Sequence, residues 1–237
     1  MRILALDIGG TSLKAALLNG EGQMLEHPRR CPTPAGSTPT LLLERVAELV
    51  APFGEFDAIS IGFPGAIKHN IILTAPNLGT TRWRGTDLAA MAAERFGQPA
   101  RLANDATMHG LGMISGQGIE VVLTLGTGMG FALFRDGVPA PQIELGRHVA
   151  GEEPSYDDFV GDAALKRVGE AAWKARVLET VRRICDLVNF DMLYLGGGNA
   201  RLFTAADLPE GVKPAVNEAG LTGGARLWRD DVSVALK

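Results

Sequence analysis

Cysteine is scarce in this chain of 237 residues, which contains only 2 cysteines. Cys31 and Cys185 lie far apart, and neither has a second cysteine or a histidine at the spacing of metal ligands. Structural zinc sites use four such ligands, usually in close sequence pairs. We therefore expect no zinc site and two reduced thiols, as is usual for a cytoplasmic protein.

Long apolar runs and a strong excess of one charge are also missing. No run reaches the roughly 20 apolar residues of a membrane-spanning helix, and Met1 leads directly into the first apolar stretch, so we expect neither a membrane anchor nor a signal peptide. A net charge of -4 argues against a general nucleic-acid or membrane surface. With 46% hydrophobic residues, the chain is expected to be globular, and any phosphate binding must be local.

The chain is instead rich in glycine, and its first informative stretch spans residues 3–17. An apolar run closes on Asp7, and Gly9-Gly10-Thr11 follows before apolar residues resume. The pattern predicts a strand, a tight turn and a second strand, with Thr11 and Lys14 able to reach anionic oxygens beside the backbone N–H groups. An ordinary glycine hairpin is the alternative interpretation, because a single glycine-rich turn is a weak functional signal.

A second copy of this pattern lies in residues 121–134, where Gly126-Thr127-Gly128-Met129-Gly130 separates two apolar runs. Each copy continues into a hairpin turn, at Asn19-Gly20-Glu21-Gly22 and at Arg135-Asp136-Gly137. The repetition predicts an internal duplication. Two facing halves, each with a phosphate-binding turn, would form a clamp for a nucleotide or polyphosphate.

Between the two copies, the sequence predicts alternating helices and strands. Residues 28–39 read as a loop, Thr38-Pro39 as the start of a helix, and residues 57–62 as a buried strand ending in Phe63-Pro64-Gly65-Ala66. Residues 68–83 read as irregular, with Asn77 as a possible polar contact and Trp83 as a structural anchor. Gly65 therefore follows the carboxyl end of a strand, where α/β folds keep their ligands.

Asn104 and Asp105 follow a short predicted strand at residues 101–103 and precede a helix. As a helix N-cap, Asp105 would satisfy unpaired amide groups, which is the commonest use of aspartate at such a junction. As a general base, it would accept a hydroxyl proton while Asn104 orients the substrate. Its position between the two glycine turns favours the catalytic interpretation.

The remainder of the chain adds further polar candidates. Glu144, in an otherwise apolar segment, suits bidentate hydrogen bonding to a diol, with a solvated loop acid as the alternative. A strand at residues 191–195 ends in Gly196-Gly197-Gly198, where a base or ribose could approach the backbone, although close helix packing explains the glycines equally well. Residues 220–228 are expected to form a small-residue helix packed on a neighbour.

Taken together, these residues resemble the ROK family of sugar kinases. The motifs in matching order are Asp7-Ile-Gly-Gly-Thr11, Gly62-Phe-Pro-Gly65, Asn104-Asp105-Ala106, Gly126-Thr-Gly-Met-Gly130, Glu144-Leu-Gly146 and Leu195-Gly-Gly-Gly198. The stretch from Gly62 to Trp83 is most similar to the polyphosphate glucokinase branch. The resemblance spans nearly the whole chain.

The resemblance implies an α/β fold of the actin-like ATPase (ribonuclease H-like) type, duplicated into two lobes around a cleft. We expect a small N-terminal lobe at 1–105 and a larger C-terminal lobe at 106–237; whether the last helix packs back on the N-terminal lobe stays open. The implied enzyme is a hexose kinase that transfers a phosphoryl group from polyphosphate or ATP to the 6-hydroxyl of glucose or a similar hexose. We expect no nucleic-acid or membrane partner, and a homodimer stays open.

The resemblance also implies a role for each motif residue. Asp105 would be the general base, and Asp7 would help to place Mg²⁺ through water. The implied sugar contacts are Gly65, Asn77, Asn104, Asp105, Glu144 and His148. The implied phosphate and nucleotide contacts are Asp7, Gly9, Gly10, Thr11, Lys14, Gly126, Thr127, Gly128, Gly130, Gly197 and Gly198.

Three features depart from the family pattern. Arg147 stands where the family has a histidine after Glu-x-Gly, and His148 comes one position later. The cysteine-rich zinc motif of many members is absent, and the segment after Glu144 is short. Two alternatives therefore stay open, a sugar-sensing regulator and a kinase-like protein that binds its ligand without turnover. The regulators carry a DNA-binding segment before the kinase-like core, and none is expected before Met1.

Overall fold

A computed structural model describes residues 1–215 and 219–236 of the chain, which divide into two compact units. The first unit contains Met1–Gly112 together with residues 219–236, and the second begins at Met113. None of the helices in these described ranges is both long enough and apolar enough to cross a bilayer. The predicted lobe boundary after residue 105 stays a prediction.

The first unit is built on a mixed sheet of five strands. They are β1 (Arg2–Ile8), β2 (Ser12–Asn19), β3 (Arg29–Pro32), β4 (Ala58–Phe63) and β7 (Ala100–Asn104), and a separate small hairpin is formed by β5 (Ile67–Lys68) and β6 (Ile71–Ile72). The order of strands in the sheet is β3-β2-β1-β4-β7. Its helices before residue 112 are α1 (Pro39–Val50), α2 (Thr80–Trp83), α3 (Leu88–Phe96) and α4 (Asp105–Leu111).

Strand register brings the carboxyl ends of three strands of the first sheet to one edge. Strand β1 pairs with β2 in antiparallel fashion, whereas β1, β4 and β7 run parallel to one another. Asp7 lies opposite Gly62, and Gly62 lies opposite Ala103. The residues that follow these three strands therefore meet at the carboxyl edge of the sheet, the usual ligand-binding edge of α/β folds.

Local sequence accounts for the helix ends in this unit. The predicted cap of α1 is confirmed, since Leu41 N donates to Thr38 Oγ1 at 3.3 Å and Pro39 occupies the first turn. Helix α3 begins at Leu88, because Asp87 accepts from Ala90 N and supplies the cap. It ends at Gly97, whose left-handed backbone (φ 69°) suits glycine.

Two segments predicted to be irregular contain strands. The predicted loop at 28–39 includes β3, which pairs with the edge of β2, and Leu13 lies opposite Cys31. The predicted irregular stretch at 68–83 contains the β5–β6 hairpin and α2. His69 and Asn70 have positive φ angles (51° and 62°) at the hairpin tip, as a two-residue turn requires. These short pairings depend on a neighbouring strand, so local composition did not indicate them.

The second unit repeats the plan of the first sheet, with strands in the order β10-β9-β8-β11-β12. Its strands are β8 (Ile119–Leu125), β9 (Met129–Arg135), β10 (Val138–Pro139), β11 (Met192–Gly196) and β12 (Val212–Pro214). Strand β9 is antiparallel to β8 and β10, whereas β8, β11 and β12 are parallel. The predicted duplication and the actin-like ATPase fold class are therefore confirmed.

The helices of the second unit cover one face of this sheet. They are α5 (Tyr156–Val160), α6 (Asp162–Val168) and α7 (Glu170–Leu187). Helix α7 buries Val177, Val181 and Ile184, which lie at the spacing of one helical face. Trp173, in the first turn of α7, is also buried. Its Nε1 donates to the Val160 carbonyl at 2.8 Å, and this hydrogen bond links α7 to α5.

The C-terminal residues of the first unit pack on its sheet through small side chains. They form α8 (Ala219–Thr222), a 3₁₀ segment (Gly223–Trp228) and α9 (Asp230–Ala235). A Cβ atom on Gly224 would lie 2.9 Å from the Ala5 Cβ, so only glycine permits this approach. Ser60 Oγ donates to the Gly224 carbonyl at 2.6 Å, and the Arg101 guanidinium lies 4.2 Å from the centre of a Trp228 ring. The close small-residue packing predicted for 220–228 is confirmed, although most of the segment is 3₁₀ rather than α-helical.

Candidate active site

The candidate residues of the first unit lie at the carboxyl edge of its sheet. Asp7 is near the end of β1, Gly65 follows β4, and Asn104 ends β7, where Asp105 begins α4. Because these three strands are adjacent and parallel, residues far apart in sequence are brought to one edge.

Asp7 is a buried carboxylate with two positively charged neighbours. Its side chain is 8% exposed, and Lys14 Nζ donates to Oδ2 at 2.8 Å. On the other side, His109 Nε2 lies 3.3 Å from Asp7 Oδ1, within ion-pair distance. A buried carboxylate held between two cationic groups keeps its charge and a fixed orientation.

Electrostatics tie the Asp7 and His109 protonation states together. Burial opposes the charge on Asp7, but His109 and Lys14 more than offset it and hold the pKa of Asp7 well below its usual range. For His109, burial disfavours the imidazolium, yet the negative charge of Asp7, with a smaller effect of Asp105, raises its pKa. The two groups therefore stabilise each other's charged forms, and His109 keeps its proton to a higher pH than an isolated histidine.

The first glycine turn is braced from both sides within the first unit. Gly9 N donates to the Ser12 carbonyl at 3.0 Å, and Thr33 Oγ1 donates to the Gly9 carbonyl at 2.6 Å. A Cβ atom on Gly10 would lie 2.7 Å from the Asn77 Cβ, so the predicted phosphate turn and the predicted sugar contact Asn77 touch each other. Thr11 is exposed at the tip of the turn.

The cap of α4 is Asn104 rather than Asp105. Asn104 Oδ1 accepts from Thr107 N at 3.3 Å, and Asn104 Nδ2 donates to the Gly65 carbonyl at 3.2 Å. Asp105 Oδ1 accepts from the neighbouring Ala106 N at 2.8 Å. Asn104, and not Asp105, is therefore the N-cap of α4. The Asn104 side chain also links α4 to the turn that contains Gly65.

In the second unit, the loop at Gly126–Gly130 is enclosed by elements far away in sequence. Gly126 N donates to the Gly128 carbonyl at 3.0 Å, and the Gly126 carbonyl accepts from Asp162 N, at the start of α6, at 2.9 Å. Gly197 has a positive φ of 82°, and a Cβ atom there would lie 2.6 Å from Leu125 N. The two predicted donor-binding turns, 126–130 and 196–198, are therefore adjacent. A 3₁₀ helix (Gly198–Leu202) begins at the last glycine of the second turn.

Glu144 lies beside a second carboxylate, that of Asp157. Glu144 is an exposed residue hydrogen-bonded to Gln142, and partial desolvation of its carboxylate raises its pKa, with a further contribution from Asp157. Burial likewise raises the pKa of Asp157, while the Met129 N–H and Arg147 oppose this. Arg147 and His148 are exposed. Arg147 acts on both carboxylates through its charge, and His148 N donates to the Leu145 carbonyl at 2.9 Å.

The donor set fits a magnesium ion held through water. Within residues 1–215 and 219–236, no three histidine, cysteine, aspartate or glutamate side chains converge in a metal-binding group. Mg²⁺ usually keeps several waters and binds one or two carboxylates together with substrate phosphates. Asp7 supplies one carboxylate beside the first glycine turn, and its lowered pKa favours the charged form that such an indirect contact would need.

Two residues of these sites were not predicted from the sequence, His109 and Asp157. His109 follows Asp105 by four positions in α4, so a helical projection would have placed it on the same face as the proposed base. Asp157 lies in an acidic stretch at 152–158 that contains none of the motifs named above. Glu153, in the same stretch, pairs with Arg167 and Arg176, at 2.6 Å and 3.1 Å.

Comparisons with known proteins converge on one family. A model described as the ROK family matches residues 3–152. The polyphosphate glucokinase of Mycobacterium tuberculosis is 29% identical over 236 residues, which cover 93% of this chain and 88% of that protein.

Solved structures agree with this result. The inorganic polyphosphate/ATP-glucomannokinase of Arthrobacter sp. strain KM is 28% identical, with a TM-score of 0.84 over 95% of this chain and 97% of that one. A ROK family glucokinase from Streptomyces griseus, solved with glucose and AMPPNP, matches with a TM-score of 0.76 at 20% identity over 96% of this chain and 99% of that one. The latter likeness concerns the fold alone.

Proposed function

The chain belongs to the ROK family, and from that premise we propose that it is a hexose kinase acting on the 6-hydroxyl of glucose or a similar hexose. Polyphosphate, alongside or instead of ATP, is the proposed donor. The named activities of the M. tuberculosis and Arthrobacter relatives, a polyphosphate glucokinase and a polyphosphate/ATP-glucomannokinase, support this assignment.

The observation that carries the proposal is the position of Asp105. It begins α4 at the carboxyl edge of the first sheet, next to the cap residue Asn104, while His109 of the same helix contacts Asp7 beside the first glycine turn. A carboxylate that is not the helix cap, on the edge that carries a phosphate-sized turn, suits a general base in phosphoryl transfer.

In the proposed reaction, Asp105 accepts the proton of the sugar 6-hydroxyl as that oxygen attacks the terminal phosphorus of the donor. The bond between this phosphorus and its bridging oxygen breaks, and the polyphosphate shortened by one unit, or ADP, leaves with the bridging oxygen. Gly65, Asn77 and Asn104 hold sugar hydroxyls in the first unit, and Glu144 and His148 are the proposed sugar contacts of the second. Phosphoryl transfer depends mainly on positioning and on neutralising charge, which braced backbone turns provide without further reorganisation.

The two glycine turns and the turn at 196–198 are the proposed donor contacts. Gly9, Gly10, Thr11 and Lys14 serve in the first unit. The corresponding residues of the second unit are Gly126, Thr127, Gly128, Gly130, Gly197 and Gly198. Asp7 would hold Mg²⁺ through water, and the bound ion would neutralise charge on the donor phosphates. Lys68, Arg82 and Arg84, all exposed, are candidates for a basic track along a longer polyphosphate, with solvated surface charge as the alternative.

The test is a sugar phosphorylation assay over a small panel of hexoses, with ATP and polyphosphate at matched Mg²⁺. We expect glucose phosphorylation with polyphosphate, weakening as salt screens exposed charges over about 10 Å at 0.1 M. Robust turnover with ATP and none with polyphosphate would make this an ATP sugar kinase. Sugar binding without turnover on either donor would instead indicate a non-catalytic sugar-binding protein.

A further inference from the structure

We propose that Asp157 is a positioning residue that fixes the Gly126–Gly130 loop against the segment carrying Glu144. This inference rests on the proposed function of that loop and of Glu144, and it adds a residue to which no sequence motif assigns a role. Its basis is the convergence of two backbone segments of the second unit, the Gly126–Gly130 loop and the segment of Gly146, on one carboxylate.

The first contact is a hydrogen bond to the loop itself. Met129 N donates to Asp157 Oδ1 at 2.8 Å, at the point where the glycine loop becomes β9. Met129 is the first residue of β9 and lies opposite Leu125, so a bond from its N–H to Asp157 fixes the place where the turn ends and the strand begins. The carboxylate thus acts directly on the backbone proposed to bind donor phosphate.

The second contact is steric and involves two glycines. A Cβ atom on Gly128 would overlap Asp157 Oδ1, and a Cβ atom on Gly146 would lie 2.8 Å from the same oxygen. Gly146 also packs so closely on the Met129 carbonyl that no side chain fits there. One oxygen therefore touches both the donor loop and the Glu144-Leu145-Gly146 segment, with no side chain between them.

The helix that carries Asp157 is itself held firmly. Ser155 caps α5 by accepting from Asp158 N at 3.1 Å, and Gly161 N donates to the Asp157 carbonyl at 2.9 Å. Arg176 donates to the Phe159 carbonyl and stacks over the Phe159 ring, 4.8 Å from its centre. A carboxylate on so constrained a helix holds its acceptor oxygen at a fixed place, as positioning of reactants requires.

Two substitutions separate the geometry of Asp157 from its charge. Asp157→Asn keeps an oxygen acceptor at the same distance from the backbone but removes the charge, whereas Asp157→Glu keeps the charge and moves the acceptor by one methylene. We expect Asp157→Asn to stay within about threefold of the wild-type kcat, and Asp157→Glu to lose about 10- to 100-fold in kcat, because small misplacements of a reacting group have effects of this size. The donor KM should rise in Asp157→Glu as well.

The matched control is Asp158→Glu, one position along the same helix. Asp158 is exposed and hydrogen-bonds to Ser155, so this change should leave kcat and both KM values unaltered. If Asp157→Asn were impaired as strongly as Asp157→Glu, the charge rather than the position would matter, and the proposal would be overturned. Wild-type kinetics in Asp157→Glu would overturn it equally.

A second measurement does not depend on enzyme activity. Hydrogen exchange at the Met129 amide should be protected in the wild type and in Asp157→Asn, and should accelerate at least tenfold in Asp157→Glu or Asp157→Ala, while the Val121 amide in β8 stays protected. If the Met129 amide exchanged at the wild-type rate in both Asp157→Glu and Asp157→Ala, the positioning role of Asp157 would be refuted even in an active kinase. A protein inactive on every sugar and donor would refute the proposed function, and the exchange data would still decide the role of Asp157.

Discussion

Lys14 and Asp7 lie directly opposite each other in the antiparallel register of β1 and β2, and Lys14 Nζ donates to Asp7 Oδ2 at 2.8 Å. Directly opposed residues of paired strands point to the same face of the sheet, so strand register enforces this contact. The Asp7 side chain is 8% exposed and that of Lys14 45%. Lys14 can therefore orient Asp7 and still present its charge to an incoming anion.

The first prediction concerns this lysine. Lys14→Met should raise the donor KM by about tenfold or more while changing the glucose KM little, because a hydrogen bond to a charged group contributes about 1.5–3 kcal/mol and each 1.4 kcal/mol is a factor of about ten. Steady-state kinetics with each substrate varied in turn will measure it. The exposed Lys166 offers the control Lys166→Met, and an unaltered donor KM in Lys14→Met would remove Lys14 from the donor site.

The second prediction separates the base from the helix cap. Asp105→Asn should reduce kcat by about 10²- to 10⁴-fold, the usual contribution of general-base catalysis, and should leave sugar binding measurable. Because Asn104 caps α4, the free energy of unfolding should change little. Calorimetric sugar titration and denaturant unfolding of this variant test both statements.

Asp87→Ala supplies the matched cap control. Asp87 caps α3 through Ala90 N at 2.8 Å, so its loss should lower the free energy of unfolding by about 1 kcal/mol without an effect on kcat. A near-normal kcat in Asp105→Asn would contradict the assignment of Asp105 as the general base.

The third prediction is a pH dependence of stability from His109 and Asp7. The raised pKa of His109 means that the folded state holds this proton more tightly, so its contribution is complete below the unfolded value of about 6.5 and is lost as the pH rises through the folded pKa. The lowered pKa of Asp7 has the opposite sign: its contribution is complete above about pH 3.9 and is lost as the pH falls toward the folded pKa. The pair should thus contribute most between about pH 4 and 6.5.

Urea unfolding of the wild type and of His109→Gln across pH 5 to about 9 tests this dependence. The wild type should lose stability above about pH 6.5 relative to the variant, because only the wild type carries the imidazolium. Parallel curves for the two proteins would show that His109 is not charged beside Asp7.

The fourth prediction concerns Glu120, which is fully buried. Its carboxylate accepts hydrogen bonds from the loop before it and from one tyrosine of β11. Its donors are Ser115 N, Ser115 Oγ, Gly116 N, Gln117 N and Tyr194 OH, at 2.8 to 3.2 Å. Glu120→Gln places an NH₂ group among these donors and should cost about 2–3 kcal/mol, the penalty for unsatisfied buried groups. Tyr194→Phe removes a single bond and should cost about 1 kcal/mol.

Denaturant unfolding of both variants checks that order. The raised pKa of Tyr194, which results from burial and from the neighbouring Glu120, should fall toward its ordinary value in Glu120→Gln. Equal destabilisation by the two substitutions would mean that the loop does not depend on the Glu120 carboxylate.

Much of the framework was predictable because its signals are local. The two glycine turns, the hairpins that follow them and the Thr38 cap each depend on a few consecutive residues, whose backbone preferences are intrinsic. The strand β3 and the β5–β6 hairpin were missed, since their short strands gain stability only from a paired neighbour.

The sequence by itself determined the duplicated α/β plan and the order of motifs that marks the family, because periodicity and glycine placement are written into the chain. Only the tertiary structure decided which side chains act together. It assigned the cap to Asn104 rather than Asp105, brought His109 to Asp7, and placed Asp157 against Gly128 and Gly146. Each of these contacts depends on strand register or helix packing between distant segments, and no short stretch of residues encodes that by itself.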